Sequence, residues 1–418
     1  MSRPVKSTNL IHWKTGFYLL LLLQGLAILS TFTAYGITND EPIQALYGTY
    51  LVRWYTSFFQ DRILFELKDL YLYGGLFETL AHLVVRLSPL DPYETRHLCN
   101  SLVGLLGVGA AYRLGSALGT PATGFLAALC LVLTPRYYGH SFNNPKDIPF
   151  AVGYLWTLHY MVQGLSTLPH LPSSQIWRTG LAMGLTLSIR IGGLVLAPYW
   201  VLFYGFRYLQ LMGLKPNLQL ARRFLRQSLA VFAIAYGTMF LFWPLAQVDP
   251  IHGPLQALNT FSQFPETHYS FFQGDYILSD TIPWYYAPLW LLLTLPEIAF
   301  WGLAAGALLR FKTWGLNHAL VAFGAGFPIG YVIFSHSPLY DGIRHLLFVI
   351  PPLMVLTAVG ITKRTEQIQN TWICRTFMFI TGLLLVLTLQ DYGATPSQPV
   401  CLFQPSHCRR HRSSLQKV

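Results

Sequence analysis

The chain has 418 residues, of which 53% are hydrophobic and only 11% charged. Soluble domains carry about 25% charged residues, so this chain has too few charges to coat a water-facing surface, and many of its apolar runs reach the ~20 residues that cross a hydrocarbon core. The net charge of +11 comes from Lys and Arg scattered over loops, without a basic stripe or a nucleic-acid motif. It reads as the basic bias of membrane-protein loops and attraction to anionic lipid, not as a nucleic-acid partner.

The five cysteines form no metal or redox motif, since no C-x-x-C pair occurs. Cys99, Cys130 and Cys374 lie in or beside apolar runs, and Cys401 and Cys408 lie in the tail, where an oxidising compartment would let them pair.

Residues 1–15 are polar, with Arg3, Lys6 and Lys14, and suggest a cytoplasmic start. The apolar run that follows, near 16–34, leads to Tyr35-Gly36-Ile37 without an A-x-A-like cleavage site and reads as a first span. Residues 36–95 form a long non-spanning outer loop holding Asp40, Glu41, Asp61, Glu66, Asp69, Glu78, Asp91 and Glu94. Within it, 42–59 and 75–88 are amphipathic and suited to lie in the membrane interface.

Further spans are expected near 98–115, 120–138, 147–164, 176–190, 192–208, 227–245, 284–308, 317–334, 345–361 and 373–390. The fold class is therefore an all-α polytopic membrane protein, with about eleven transmembrane helices in a domain covering 16–390. The run 176–208 is interrupted by Arg190-Ile191-Gly192-Gly193 and is read as two spans meeting at an outer turn. Charge supports this orientation. The inner segment 207–226 holds Arg207, Lys215, Arg222, Arg223 and Arg226 without an acid, and Arg310 with Lys312 falls in another inner loop. The outer segment 246–283 holds Asp249, Glu266, Asp275 and Asp280 without a Lys or Arg. The tail 391–418, rich in Pro, Ser and His with Arg409, Arg410 and Arg412, is expected to be disordered and outside. No internal repeat is visible, which counts against transporters built on inverted repeats.

On this topology the polar clusters fall on one face, where ionisable groups near membrane depth usually serve function. They are Asp40-Glu41, the stretch ending at Tyr73, Arg96-His97, Arg136 to His140, Asn143 to Asp147, Arg190, Trp284 and Ser335 to His345. Each has a structural reading as well. Asn39 or Asp40 can cap the helix that starts at Pro42, and Asn144-Pro145 can start a helix with Asp147 in its first turn. Arg190 can snorkel to headgroups, Arg344 can bridge to Asp341, and the Tyr and Trp residues can belong to an interface belt. His97, His140, His336 and His345 lack helical metal-ligand spacing.

An Asp-Glu pair after the first span, Tyr73-Gly74-Gly75, Arg96-His97, Asn-Pro-Lys-Asp-Ile-Pro-Phe-Ala at 144–151 and Tyr-Asp-Gly-Ile-Arg-His at 340–345 together resemble the GT-C glycosyltransferases. The likeness is to the phospholipid-carrier-dependent branch, related to dolichyl-phosphate-mannose protein mannosyltransferases and aminoarabinose transferases. It covers roughly residues 10–390. The resemblance implies transfer of a sugar from a polyprenyl phosphate to an acceptor hydroxyl at the outer or luminal face, with inversion. The acceptor would be a protein, a lipid or a polysaccharide.

Matched to the family's first carboxylate, Asp40 would be the general base, and Glu41 would orient it or bind the acceptor. Arg96, Lys146, Arg190 and Arg344 are candidates for the donor phosphate. Asp147 would hold Lys146 or a sugar hydroxyl, Asp341 and His345 would complete the donor site, and Tyr73, Tyr138 and Trp284 would stack on sugar or prenyl. Asp40-Glu41 has no third acid at D-x-D spacing, so no obligatory metal or other cofactor is expected, although some relatives use a divalent ion. The alternative function is a transporter or flippase of a polar lipid or glycolipid, in which the same charges would line a pathway.

Overall fold

The computed structural model describes the backbone of residues 7–213, 217–262, 267–309 and 314–394, and side chains within 12–390. The expectations resting on Arg3, Lys6, Lys215, Glu266, Arg310, Lys312, Cys401, Cys408 and the tail beyond 394 lie outside the described residues.

In chain order the helices are α1 (Ser7–Thr31), α2 (Glu41–Thr56), α3 (Leu76–Leu87), α4 (Pro92–Leu118), α5 (Pro121–Val132), α6 (Pro135–Asn143), α7 (Asp147–Thr167), α8 (Ser173–Leu187) and α9 (Leu196–Met212). They continue with α10 (Leu218–Phe242), α11 (Pro244–Val248), α12 (His252–Ser262), α13 (Tyr286–Thr294), α14 (Glu297–Ala307), α15 (Leu316–Phe334), α16 (Ile350–Gln367) and α17 (Thr371–Ala394). One antiparallel hairpin, β1 (Tyr269–Phe272) with β2 (Asp275–Leu278), pairs Phe271 with Tyr276. It was not expected from the apolar pattern.

Each expected span coincides with helix, but several are broken. Among the described residues six helices are long and apolar enough to cross a membrane, or seven if the pair α13 and α14, bent by 112°, counts as one span. An integral, multi-pass membrane protein follows from these helices. The count of about eleven full spans does not. The run 120–138 is split at Thr134-Pro135 into α5 and α6, and the next helix starts only after Pro145. Proline removes a helical donor and crowds the preceding turn, so helices restart at these sites instead of running through.

Helix starts follow local chemistry. The Asp91 carboxylate accepts from the backbone N–H of Tyr93 at 2.8 Å and of Glu94 at 3.3 Å, with Pro92 at the first helical position of α4. Buried tyrosines carry their hydroxyls to backbone carbonyls: Tyr154 to Gly324 at 2.7 Å, Tyr204 to Met161 at 2.8 Å and Tyr137 to Gly104 at 2.8 Å. An unpaired hydroxyl would be costly in this apolar interior. Close packing of α14 on α16 depends on small residues, because a Cβ on Gly360 would stand 2.0 Å from the Gly302 carbonyl oxygen.

The amphipathic helices α2 and α3 form where the 36–95 segment is expected to hold them. Helix α3 buries Phe77, Glu78 and Ala81 and exposes Leu80, Leu83, Val84 and Leu87. That exposed stripe at i, i+3, i+4 and i+7 is apolar, as an interfacial helix requires.

Candidate active site

Three breaks in the helical bundle converge. They are the turn before α2, the Asn144-Pro145-Lys146 link before α7, and the loop that leads through Tyr340 into the 3₁₀ segment Arg344–Val349. A fourth, the 3₁₀ segment Ile191–Val195, follows Arg190. Residues far apart in sequence meet here because these links leave the helices at the same end.

Arg344 is the hub. Its Nη2 donates to the Asp40 carboxylate, its Nε to Asp147 Oδ2 at 3.0 Å, and its Nη1 to Asp341 Oδ2 at 3.3 Å. Asp147 also accepts from Arg190 Nη1 and from the Asn144 side-chain amide at 2.8 Å. Asn144 in return accepts the Asp147 backbone N–H at 3.0 Å, so the helix-starting role and the ionic role of this motif coexist. Asp147 therefore holds Arg190 and Arg344, where the sequence had suggested Lys146.

Lys146 Nζ lies 3.7 Å from Asp40 and 4.9 Å from the centre of the Tyr73 ring, over which the Arg190 guanidinium also sits at 5.6 Å. Tyr73 reaches this position because Gly74 presses against the end of α8. A Cβ there would stand 2.0 Å from the Ser188 carbonyl oxygen, which also accepts the Leu76 N–H at 3.2 Å. Only glycine allows that approach.

Asp40 precedes α2 as its cap residue but makes no capping hydrogen bond with its side chain. The carboxylate, 36% exposed, faces the cations. Burial alone would push its pKa up. The Arg344 and Lys146 charges and the Arg344 hydrogen bond outweigh that and hold the carboxyl below the usual carboxylate range. Glu41 turns the other way and is buried. Its Oε2 accepts the Thr38 backbone N–H at 2.7 Å, and its Oε1 lies 2.8 Å from His97 Nε2. It clamps the Thr38-Asn39-Asp40 turn onto α4 and does not face the cation cluster.

Not every candidate joins the cluster. Arg96 is buried and ion-paired with Glu78 of α3. Burial pushes the Glu78 carboxyl above its usual range despite the opposing Arg96 charge. Tyr138 packs with Ile28 and Phe142 in a small apolar cluster, its ring 5.2 Å from that of Phe142. Trp284 is exposed beside Tyr285. Asp341 and His345 are present at the site, with the His345 and Tyr340 rings 4.4 Å apart. Burial, with Tyr73 nearby, pushes the Tyr340 hydroxyl up to about 12.

A cavity of about 580 Å³ opens beside the cluster. Its wall is mainly apolar, including Phe150, Val195, Phe327 and Phe348, and among its polar members Tyr73, Arg190 and His345 belong to the edge of the ionic site. Sequence reasoning did not place this cavity or the Glu78–Arg96 and Glu41–His97 pairs. Among the described residues no three His, Cys, Asp or Glu side chains come together as a set that could hold a metal ion.

No family model and no curated protein matches the chain. Solved structures do. ArnT from Cupriavidus metallidurans bound to undecaprenyl phosphate superposes with a TM-score of 0.59 at 13% identity, over 93% of this chain and 74% of that one. The Archaeoglobus fulgidus oligosaccharyltransferase in the apo form gives a TM-score of 0.59 at 12% identity, over 91% of this chain and 56% of that one. This chain has the GT-C fold. The archaeal protein, AglB, is also similar in its complex with an inhibitory peptide and a dolichol-phosphate, with a TM-score of 0.59. At these identities the likeness is one of GT-C architecture, and this chain spans just over half of the archaeal protein's length.

Proposed function

We propose that this GT-C-fold protein is a glycosyltransferase that moves a hexose-like sugar from a polyprenyl-phosphate donor to an acceptor hydroxyl, with Asp40 as general base. The observation that carries this reading is the shared wall. A cavity suited to an apolar chain has Arg190 and Tyr73 in common with a three-cation cluster, and Asp40 lies across that cluster. An amphiphile with a phosphate at its head and a long apolar tail fits both halves. That ArnT was solved with undecaprenyl phosphate, and AglB with dolichol-phosphate, supports the same ligand class.

On this reading the prenyl chain lies against Phe150, Val195 and Phe327, and the phosphate sits near Arg190, Lys146 and Arg344. The acceptor oxygen loses its proton to Asp40 as it attacks the anomeric carbon on the face opposite the phosphate, which inverts the centre. Positively charged side chains held in place stabilise the departing phosphate. Glu41 positions the base through Thr38 and His97 and touches neither substrate. The site faces the outer or luminal side, the acceptor is a protein, a lipid or a polysaccharide, and no step is routed through a metal.

Purified protein in lipid nanodiscs, given undecaprenyl- or dolichyl-phosphate hexoses and membrane extract, tests this. Acceptor-dependent release of polyprenyl monophosphate is expected. Movement of the lipid across a bilayer with its sugar–phosphate bond intact would support the transporter alternative instead. Mass spectrometry of glycolipids and glycoproteins from cells with and without the gene identifies the acceptor.

A further inference from the structure

Three cations, Lys146, Arg190 and Arg344, face three carboxylates, Asp40, Asp147 and Asp341. With every group in its ordinary charge state the cluster is neutral. All three nitrogens of Arg344 are engaged: Nε, Nη1 and Nη2 each go to a different carboxylate. A guanidinium offers five N–H donors in a fixed fork, so a phosphate that takes two of them side by side competes with the carboxylates already held there. Of its three partners, Asp147 is buried and fixed by Arg190 and Asn144. Asp40 is the most exposed of the three, at 36% of its side chain, and it also draws on Lys146.

We infer that Arg344 is handed from Asp40 to the leaving phosphate as Asp40 takes up the acceptor's proton, so that one side chain couples the base to the leaving group. This inference deepens the transferase reading and rests on it. The step balances. The acceptor O–H proton passes to the Asp40 carboxylate, and the acceptor oxygen forms the new bond to the anomeric carbon. The bond from that carbon to the phosphate oxygen breaks, and its electron pair stays on the phosphate, which becomes a monoester with added negative charge. Neutralising Asp40 leaves three cations facing two carboxylates. The cluster then carries one positive charge in excess at the moment the phosphate gains a negative one. Before transfer, Asp40 holds Arg344 and keeps the spent monophosphate carrier from competing strongly for the site.

Binding of undecaprenyl monophosphate to full-length protein in nanodiscs, at fixed ionic strength, tests the hand-off. Asp40→Asn keeps the shape of the protonated base and removes its charge. It is expected to abolish transfer while tightening monophosphate binding by about tenfold or more, as one charge removed at close range in a partly buried site allows. Asp40→Ser, a second neutral variant, should behave alike if asparagine perturbs folding. In an Arg344→Gln background the gain from Asp40→Asn should shrink to less than about twofold, as coupling through a shared residue requires. Unchanged or weaker binding by both neutral variants overturns the hand-off, as does a gain that persists in full without Arg344. Wild-type protein that transfers sugar yet shows either result leaves the transferase reading standing. Wild-type protein that neither transfers sugar nor binds the carrier overturns both.

Discussion

Arg344 and Asp40, 304 residues apart in sequence, form a hydrogen-bonded ion pair. It closes the turn after α1 onto the segment that leads into α16, and it sets the charge state of the candidate base.

The pair determines how transfer should depend on pH. Arg344 and Lys146 hold the Asp40 carboxyl below its usual range against the effect of burial. A base with a lowered pKa stays ionised as pH falls and is lost only when pH drops through that lowered value. The acid limb of kcat/KM in wild type should therefore lie below the ordinary carboxylate value of about 3.9. In Arg344→Gln, burial acts with less opposition and the acid limb should move to higher pH. A limb that stays in place when Arg344 is removed would show that another group is titrating.

Arg344→Lys should rescue little of what Arg344→Gln loses. One ammonium cannot reproduce three separately directed hydrogen bonds to Asp40, Asp147 and Asp341. We expect kcat to fall by roughly 10²-fold or more in both variants, the scale for removing one preorganised charge-stabilising donor. Steady-state kinetics with saturating donor measures it.

Arg96 should matter for stability and not for donor binding. Its pair with Glu78 is buried on both sides, and removing one partner of a buried pair costs about 3–5 kcal/mol. Arg96→Met should lower thermal stability in detergent, and Glu78→Gln should do the same to a smaller degree. Binding of polyprenyl monophosphate by the folded fraction should stay within about twofold of wild type, well inside the tenfold that 1.4 kcal/mol represents. A selective loss of carrier binding at unchanged stability would return Arg96 to the phosphate site.

Filling the cavity should discriminate between chain lengths. Val195→Trp places a large ring against a wall shared with Phe150 and Phe348. It should raise KM for a long-chain donor by about tenfold, the scale of ~1.4 kcal/mol of lost apolar contact. A donor with a single prenyl unit should be affected much less. Equal effects on both donors would place the chain elsewhere.

The helical architecture was legible because apolar runs and amphipathic stripes are local signals. The exposed Leu80, Leu83, Val84 and Leu87 of α3 show as much. Asp40, Lys146, Asp147, Arg190 and Arg344 were legible as a set, because charges at the ends of apolar runs must gather where the runs end, and four distant segments supplied them. Pairings were not legible. That Asp147 takes Arg190 and Arg344, and leaves Lys146 to Asp40 and Tyr73, depends on the directions in which α7 and its neighbours leave the site. Glu78 gave one available signal, an acid on the otherwise apolar buried face of α3, and it called for a cationic partner. The hairpin at 269–278 was missed because its alternation is only four residues long on each side of Gln273-Gly274. The count of about eleven spans does not follow from the helices, because mean apolarity does not register the restart at Pro135 or the bend between α13 and α14.

The most direct measurement is sugar transfer by Asp40→Asn, in purified full-length protein given a polyprenyl-phosphate hexose and its acceptor. Transfer should fall to background while the variant still inserts, folds and binds the carrier. Transfer at the wild-type rate would contradict the assignment of Asp40 as the base and, with it, the account of this site.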